Sequence, residues 1–78
     1  MIWLIIDWGT RECWISTIPK DSAHSGRVVQ FNKICFGNNY IELKLIDKES
    51  TIKIPSSQCI IEEENLKYKT TPYYEKDH

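Results

Sequence analysis

The sequence lacks the features that most directly place a small protein in a functional class. Its three cysteines, Cys13, Cys35 and Cys59, include no CxxC pair. An odd number leaves at least one thiol outside any disulfide framework, and no Cys/His spacing fits a zinc site. Neither sign of charge dominates: 10 basic against 11 acidic residues give a formal net charge of −1, whereas binding driven by phosphate neutralisation usually accompanies a basic excess. The apolar run Ile2–Ile6 stops at Asp7. It is too short for the apolar region of a signal peptide, has no basic segment before it, and falls far short of a membrane span. Lipidation motifs are missing from both ends. These absences lead us to expect a cytoplasmic protein with no membrane partner, no cofactor and no metal.

Catalytic groups are equally sparse. His24 lies in a polar stretch with Asp21, Ser22 and Ser25, and a Ser/His/Asp set confined to one loop has no scaffold to preorganise it. The other histidine, His78, is at the far end of the chain. The expectation is a protein that is not an enzyme.

What is present describes a folded domain. Hydrophobic residues make up 41% and charged residues 27% of the 78-residue chain, ordinary for a globular domain and enough for one. A chain of this size buries only about 60% of the surface that its unfolded form exposes, so a ligand should meet a surface or shallow groove. Each cysteine adjoins an apolar residue, Trp14, Phe36 or Ile60, and is read as a small buried hydrophobe in a reducing compartment.

Short β-rich segments separated by turn residues predict strands over 2–7, 11–18, 27–36, 40–46, 51–54 and 59–62. The clearest is 40–46, where Ile41, Leu43 and Leu45 alternate with Glu42 and Lys44. Alternation breaks near Asn32-Lys33, which predicts a bulge in the third strand. Gly37-Asn38-Asn39 predicts a tight turn, and Pro55-Ser56-Ser57-Gln58 a single helical turn before the last strand. Residues 1–69 are expected to form one small β-domain, with 70–78 as a flexible tail. From Gly26 to Ile61 the order is strand, turn, alternating strand, polar turn, short strand, Pro-led turn, short strand. This order resembles an SH3-like barrel and implies an all-β barrel of five or six strands. No SH3 peptide-binding signature accompanies it, and the fold alone does not assign a function.

The segment Leu4-Ile5-Ile6-Asp7-Trp8-Gly9-Thr10 resembles the first phosphate-binding hairpin of the sugar kinase/actin superfamily. That superfamily uses chains several times longer with further nucleotide-binding segments, so Asp7–Thr10 is read here as a hairpin turn. If Trp8-Gly9 is a two-residue loop, Trp3 opposes Trp14, and Ile2, Leu4, Ile6, Cys13 and Ile15 share a core face. The opposite face then carries Trp3, Trp14 and Ile5, with Trp8 exposed at the turn tip. Either the tryptophans are core, with the register displaced, or they form an aromatic partner site. Glu62-Glu63-Glu64 would serve as an acidic rim, or as a solvated strand exit.

The reading favoured is a noncatalytic protein-binding module using Trp3, Ile5, Trp8 and Trp14, rimmed by Glu62, Glu63 and Glu64. It would be an assembly subunit or a small stand-alone inhibitor of the kind mobile genetic elements encode, and its partner would be another protein or a second copy in a homodimer. The alternative is a nucleic-acid-binding barrel. That reading gathers Arg11, Arg27, Lys33, Lys44 and Lys53 on one face with Tyr40 and Phe36 as stacking platforms. Glu42 and Glu49 lie among those lysines and oppose it.

Overall fold

The computed structural model describes residues 1–17, 26–47 and 50–76. Among these, seven strands form: β1 (Ile2–Asp7), β2 (Glu12–Ser16), β3 (Arg27–Phe36), β4 (Tyr40–Leu45), β5 (Thr51–Pro55), β6 (Cys59–Glu64) and β7 (Tyr74–Lys76). Two 3₁₀ turns, Ser56–Gln58 and Leu66–Tyr68, follow β5 and β6. The protein is therefore all-β, and the Pro-led turn falls where the sequence placed it. His24, with Asp21 and Ser22, as well as Glu49 and His78, lies outside the described residues.

Six strands form one sheet in the order β5-β4-β3-β2-β1-β6, and β7 pairs with β3 off that path. Neighbours from β1 to β5 are antiparallel, whereas β6 runs parallel to β1. The direction within the sheet is therefore not reversed across Ser56–Gln58. Laid flat, six strands would separate β5 from β6 by roughly 24 Å. Three residues join them instead, and the Cys59 thiol donates to the Pro55 carbonyl at 3.3 Å, so the sheet must curl.

Two features differ from what the sequence pattern suggested. The sheet is not closed, because no ladder joins β5 to β6 among the described residues. Residues 70–76, expected outside the folded unit, supply a seventh strand. There Ile34, Cys35 and Phe36 pair with Tyr74, Glu75 and Lys76, and Tyr73 and Tyr74 pack against the core. Tyrosines in a polar segment give no periodicity from which a three-residue strand can be read.

β3 is the longest strand and serves both halves of the curl. Residues Arg27–Gln30 pair with β2, and residues from Phe31 onward pair with β4. The predicted bulge is present. Phe31 opposes Leu45 and Lys33 opposes Lys44, which leaves Asn32 as the extra residue. One inserted residue swaps the faces: Val29 and Phe31 point inward before it, and Ile34 after it.

The inner face holds the core. Leu4, Ile6 and Cys13 of the first hairpin are fully buried, with Ile2 and Ile15 partly buried beside them. Leu43 and Ile41 of β4 complete it from the other half of the curl. Trp8 is also core, at 1% exposure, although its position in a turn suggested the surface. Its backbone N–H donates to the Glu64 carbonyl at 3.1 Å. This extends the β1–β6 ladder by one residue and keeps Trp8 on the inward parity of Leu4 and Ile6. The indole meets Phe31 edge-on at 5.5 Å and Tyr74 at 6.2 Å. Trp8→Ala should cost about 3–5 kcal/mol, comparable with the whole stability of a chain this short. The urea midpoint followed by circular dichroism should fall accordingly, to a largely unfolded variant.

Candidate functional site: the outer face of the first hairpin

The register of the first hairpin decides which residues share its outer face. Trp3 pairs with Ser16, Ile5 with Trp14 and Asp7 with Glu12. Relative to the two-residue turn anticipated from the sequence, the strands are displaced by two positions, and the turn spans Trp8 to Arg11. Its chemistry explains the extra length. Asp7 Oδ1 accepts the N–H of Gly9 at 2.9 Å and of Thr10 at 3.3 Å, and Arg11 closes the turn with φ 59°. Asn65 Nδ2 donates to the same oxygen at 2.8 Å. The Asp-x-Gly-Thr segment thus uses its carboxylate and amides to build its own turn. A shift of two leaves both faces intact: the core set stands as anticipated, while the Trp3–Trp14 pair is replaced by Ile5–Trp14.

Continuing the register across the sheet gives the outer face in rows. Ile60 lies beside Trp3 and Glu62 beside Ile5, with Trp14 next in that second row and then Val28. A third row runs Glu64, Asp7, Glu12, Gln30. Trp3 and Trp14 are half-buried, Ile5 is buried, and Val28 and Ile60 are exposed at 58% and 37%. Gly26 fixes one border of this surface. Its φ is +144°, and a Cβ there would stand 2.6 Å from Trp14 Nε1, so only glycine lets the backbone pass over that indole without strain.

The acidic run is divided by strand parity. Glu62 and Glu64 share the outer face with Ile5 and Asp7, whereas Glu63 takes the inward parity of Ile6. Glu63 accepts the Trp8 indole N–H at 2.8 Å and the Lys69 ammonium at 2.9 Å. Trp8 and Glu63 are therefore removed from the surface patch and belong to an interior cluster with Lys69, Phe36 and Tyr74. The sequence contained a signal for this in the unbroken alternation of Leu4, Ile6 and Trp8, but the turn reading of Trp8-Gly9 overrode it.

The anticipated basic face is interleaved with carboxylates. Lys33 is bonded to Glu75 at 3.0 Å, Glu42 pairs with Lys53 in the β4–β5 ladder, and Lys53 lies over the Tyr40 ring. Phe36 is occupied in the Lys69 cluster. Arg11 stacks on Tyr73 at 4.6 Å.

Among the described residues, no three His, Cys, Asp or Glu side chains gather to hold a metal ion, and no helix is long and apolar enough to cross a membrane. The cysteines are free, with Cys13 and Cys35 buried and Cys59 partly so. Burial, reinforced by the Cys59 thiol, pushes the Cys13 thiol up to about 12, and burial also raises Cys59. Alkylation of native Cys13 by iodoacetamide at pH 8 should run on the order of 10³-fold slower than in the unfolded chain, as its thiolate fraction dictates. Peptide mass mapping reads this directly.

The Asp7 carboxyl is held below its ordinary range, first by the Asn65 hydrogen bond and then by those of Thr10 and Gly9. A carboxyl lowered in the folded state adds stability above its unfolded value of about 3.9, and that stability is lost as pH falls through the folded value. Stability should therefore drop more steeply below about pH 4 in the natural protein than in Asp7→Asn. Urea titrations at stepped pH would show the difference as a flatter acid limb in the variant. Compared with protein-family models, curated proteins and solved structures, the chain matches none.

Proposed function

We propose that this protein is a noncatalytic protein-binding module whose docking surface is the outer face of β1, β2 and β6. The observation that carries the reading is the continuity of Trp3, Ile5 and Trp14 across two strands, extended by exposed Val28 and Ile60. Tryptophan offers large contact area with few rotors to immobilise, and contiguous apolar surface on a soluble face marks partner sites. Glu62 stands beside the patch, with Glu64, Asp7 and Glu12 along one side of it. The partner that fits presents apolar side chains flanked by Lys or Arg, so that potentials complement at the rim.

Nucleic-acid binding is supported less well. The lysines on the opposite half of the curl alternate with Glu42 and Glu75, which divides the field that phosphate binding would draw on. We also infer that the curled sheet is an SH3-like barrel opened between its edge strands. The β3–β4–β5 meander and the 3₁₀ turn leading into β6 support this.

Photo-crosslinking from the two faces tests the function. A benzophenone amino acid at Val28 should trap a defined protein in cells, and the same group at Lys44 should not. Val28→Glu should abolish capture by a photo-group at Ile60 while leaving the fold intact, because Val28 is already exposed. Capture of a second copy would identify a homodimer. Equal capture from Val28 and Lys44 would overturn the assignment of this face.

A further inference from the structure

The Lys69 ammonium is surrounded in a way that surface lysines are not. Its Nζ lies 4.6 Å from the centre of the Tyr74 ring, 5.1 Å from Phe36 and 5.5 Å from Trp8. Glu63 Oε2 closes the fourth side at 2.9 Å. Ring faces carry negative quadrupole density and attract a cation within about 6 Å, most strongly where water is excluded. Here the side chains of Lys69 and Glu63 are only 24% and 25% exposed.

The walls come from separate parts of the chain: Trp8 from the turn after β1, Phe36 from the end of β3, Glu63 from β6 and Tyr74 from β7. They are fixed largely independently of Lys69. Trp8 and Tyr74 meet at 89° and Phe36 meets Tyr74 in a tilted contact at 59°, while the Trp8 indole N–H holds the Glu63 carboxylate at 2.8 Å. Three ring faces and one oriented carboxylate converge on one point, and that point matches the chemistry of an alkylammonium group.

We propose that Trp8, Phe36, Tyr74 and Glu63 form an alkylammonium-binding cage that Lys69 of the same chain occupies as its own ligand. The site takes a lysine-type cation. While Lys69 fills it, the segment between β6 and β7 is clasped to the sheet. With Lys69 truncated, the cage should accept the missing group from solution.

Lys69→Ala removes the equivalent of n-propylammonium, which is the probe. In Lys69→Ala, n-propylammonium chloride should raise the melting temperature saturably, with half-effect on the order of 10 mM. It should also shift the Trp8 indole resonance in ¹⁵N spectra. Sodium chloride at equal ionic strength should do neither, and the natural protein should not respond. Adding Glu63→Gln to Lys69→Ala should abolish the response. A Lys69→Ala protein that folds but shows no selective response overturns the proposal, as does an equal response from the natural protein.

If Lys69→Ala does not fold, Lys69→Met keeps the apolar stem without the charge. It should melt below the natural protein, with a smaller deficit when Glu63→Gln is already present. A Lys69→Met protein as stable as the natural one overturns the cage.

Discussion

The indole of Trp8 is the contact on which the arrangement of this domain turns. It sits where β1 ends and the chain begins to reverse, yet it continues the inward parity of Leu4 and Ile6 and is almost wholly buried. Its edge contacts with Phe31 and Tyr74 join the first hairpin to β3 and β7. Its N–H is satisfied by Glu63 of β6, so no buried donor is stranded, which would cost about 1–3 kcal/mol. One side chain thereby brings residues from four strands or their connections to one place. The four-residue turn that Asp7 and Asn65 build is compatible with this burial, because a two-residue turn after Asp7 would place Trp8 at the hairpin tip.

Curling is the second organising feature, and it depends on β3. A single flat sheet of short strands cannot enclose a core, so the two halves must face each other across their apolar sides. The Asn32 bulge lets one strand belong to both halves and changes which of its residues point inward midway. The three-residue turn between β5 and β6 ties the two sheet edges at one end. β7 supplies a neighbour for the second half of β3, on which β2 no longer lies. Small domains have little interior to spare, and a three-residue strand that brings Tyr74 against Phe36 and Trp8 adds aromatic area where core is scarce.

β6 shows how one strand can build a surface and an interior at once. Its alternation sends Glu62 and Glu64 outward beside the tryptophan face and Glu63 inward to the Trp8–Lys69 cluster. The charge that enters is satisfied twice over, by an indole N–H and an ammonium, as a carboxylate drawn away from water requires. The outer face is the complement of this arrangement. β1 is flanked on both sides by strands, so its outward residues stand in the middle of a sheet rather than at an edge, and Ile5 becomes buried among its neighbours.

Local pattern determined a good deal of this by itself. Period-two alternation placed β4 and β5, the broken alternation placed the bulge, the Pro-led segment placed the 3₁₀ turn, and parity chose Leu4, Ile6 and Cys13 for the core. Each of these depends on residues close together in sequence, where side-chain direction follows from strand geometry. Tertiary structure decided what depends on distant partners. The hairpin register was set by Asp7 together with Asn65, and burial of Trp8 by Phe31 and Tyr74. The inward fate of Glu63 followed from the parallel pairing of β6 with β1, and the incorporation of 70–76 from a vacant side of β3. Nothing in a sequence of three successive glutamates distinguishes the middle one. That distinction appears only when the strand acquires two sides, one facing water and the other facing a lysine and three aromatic rings.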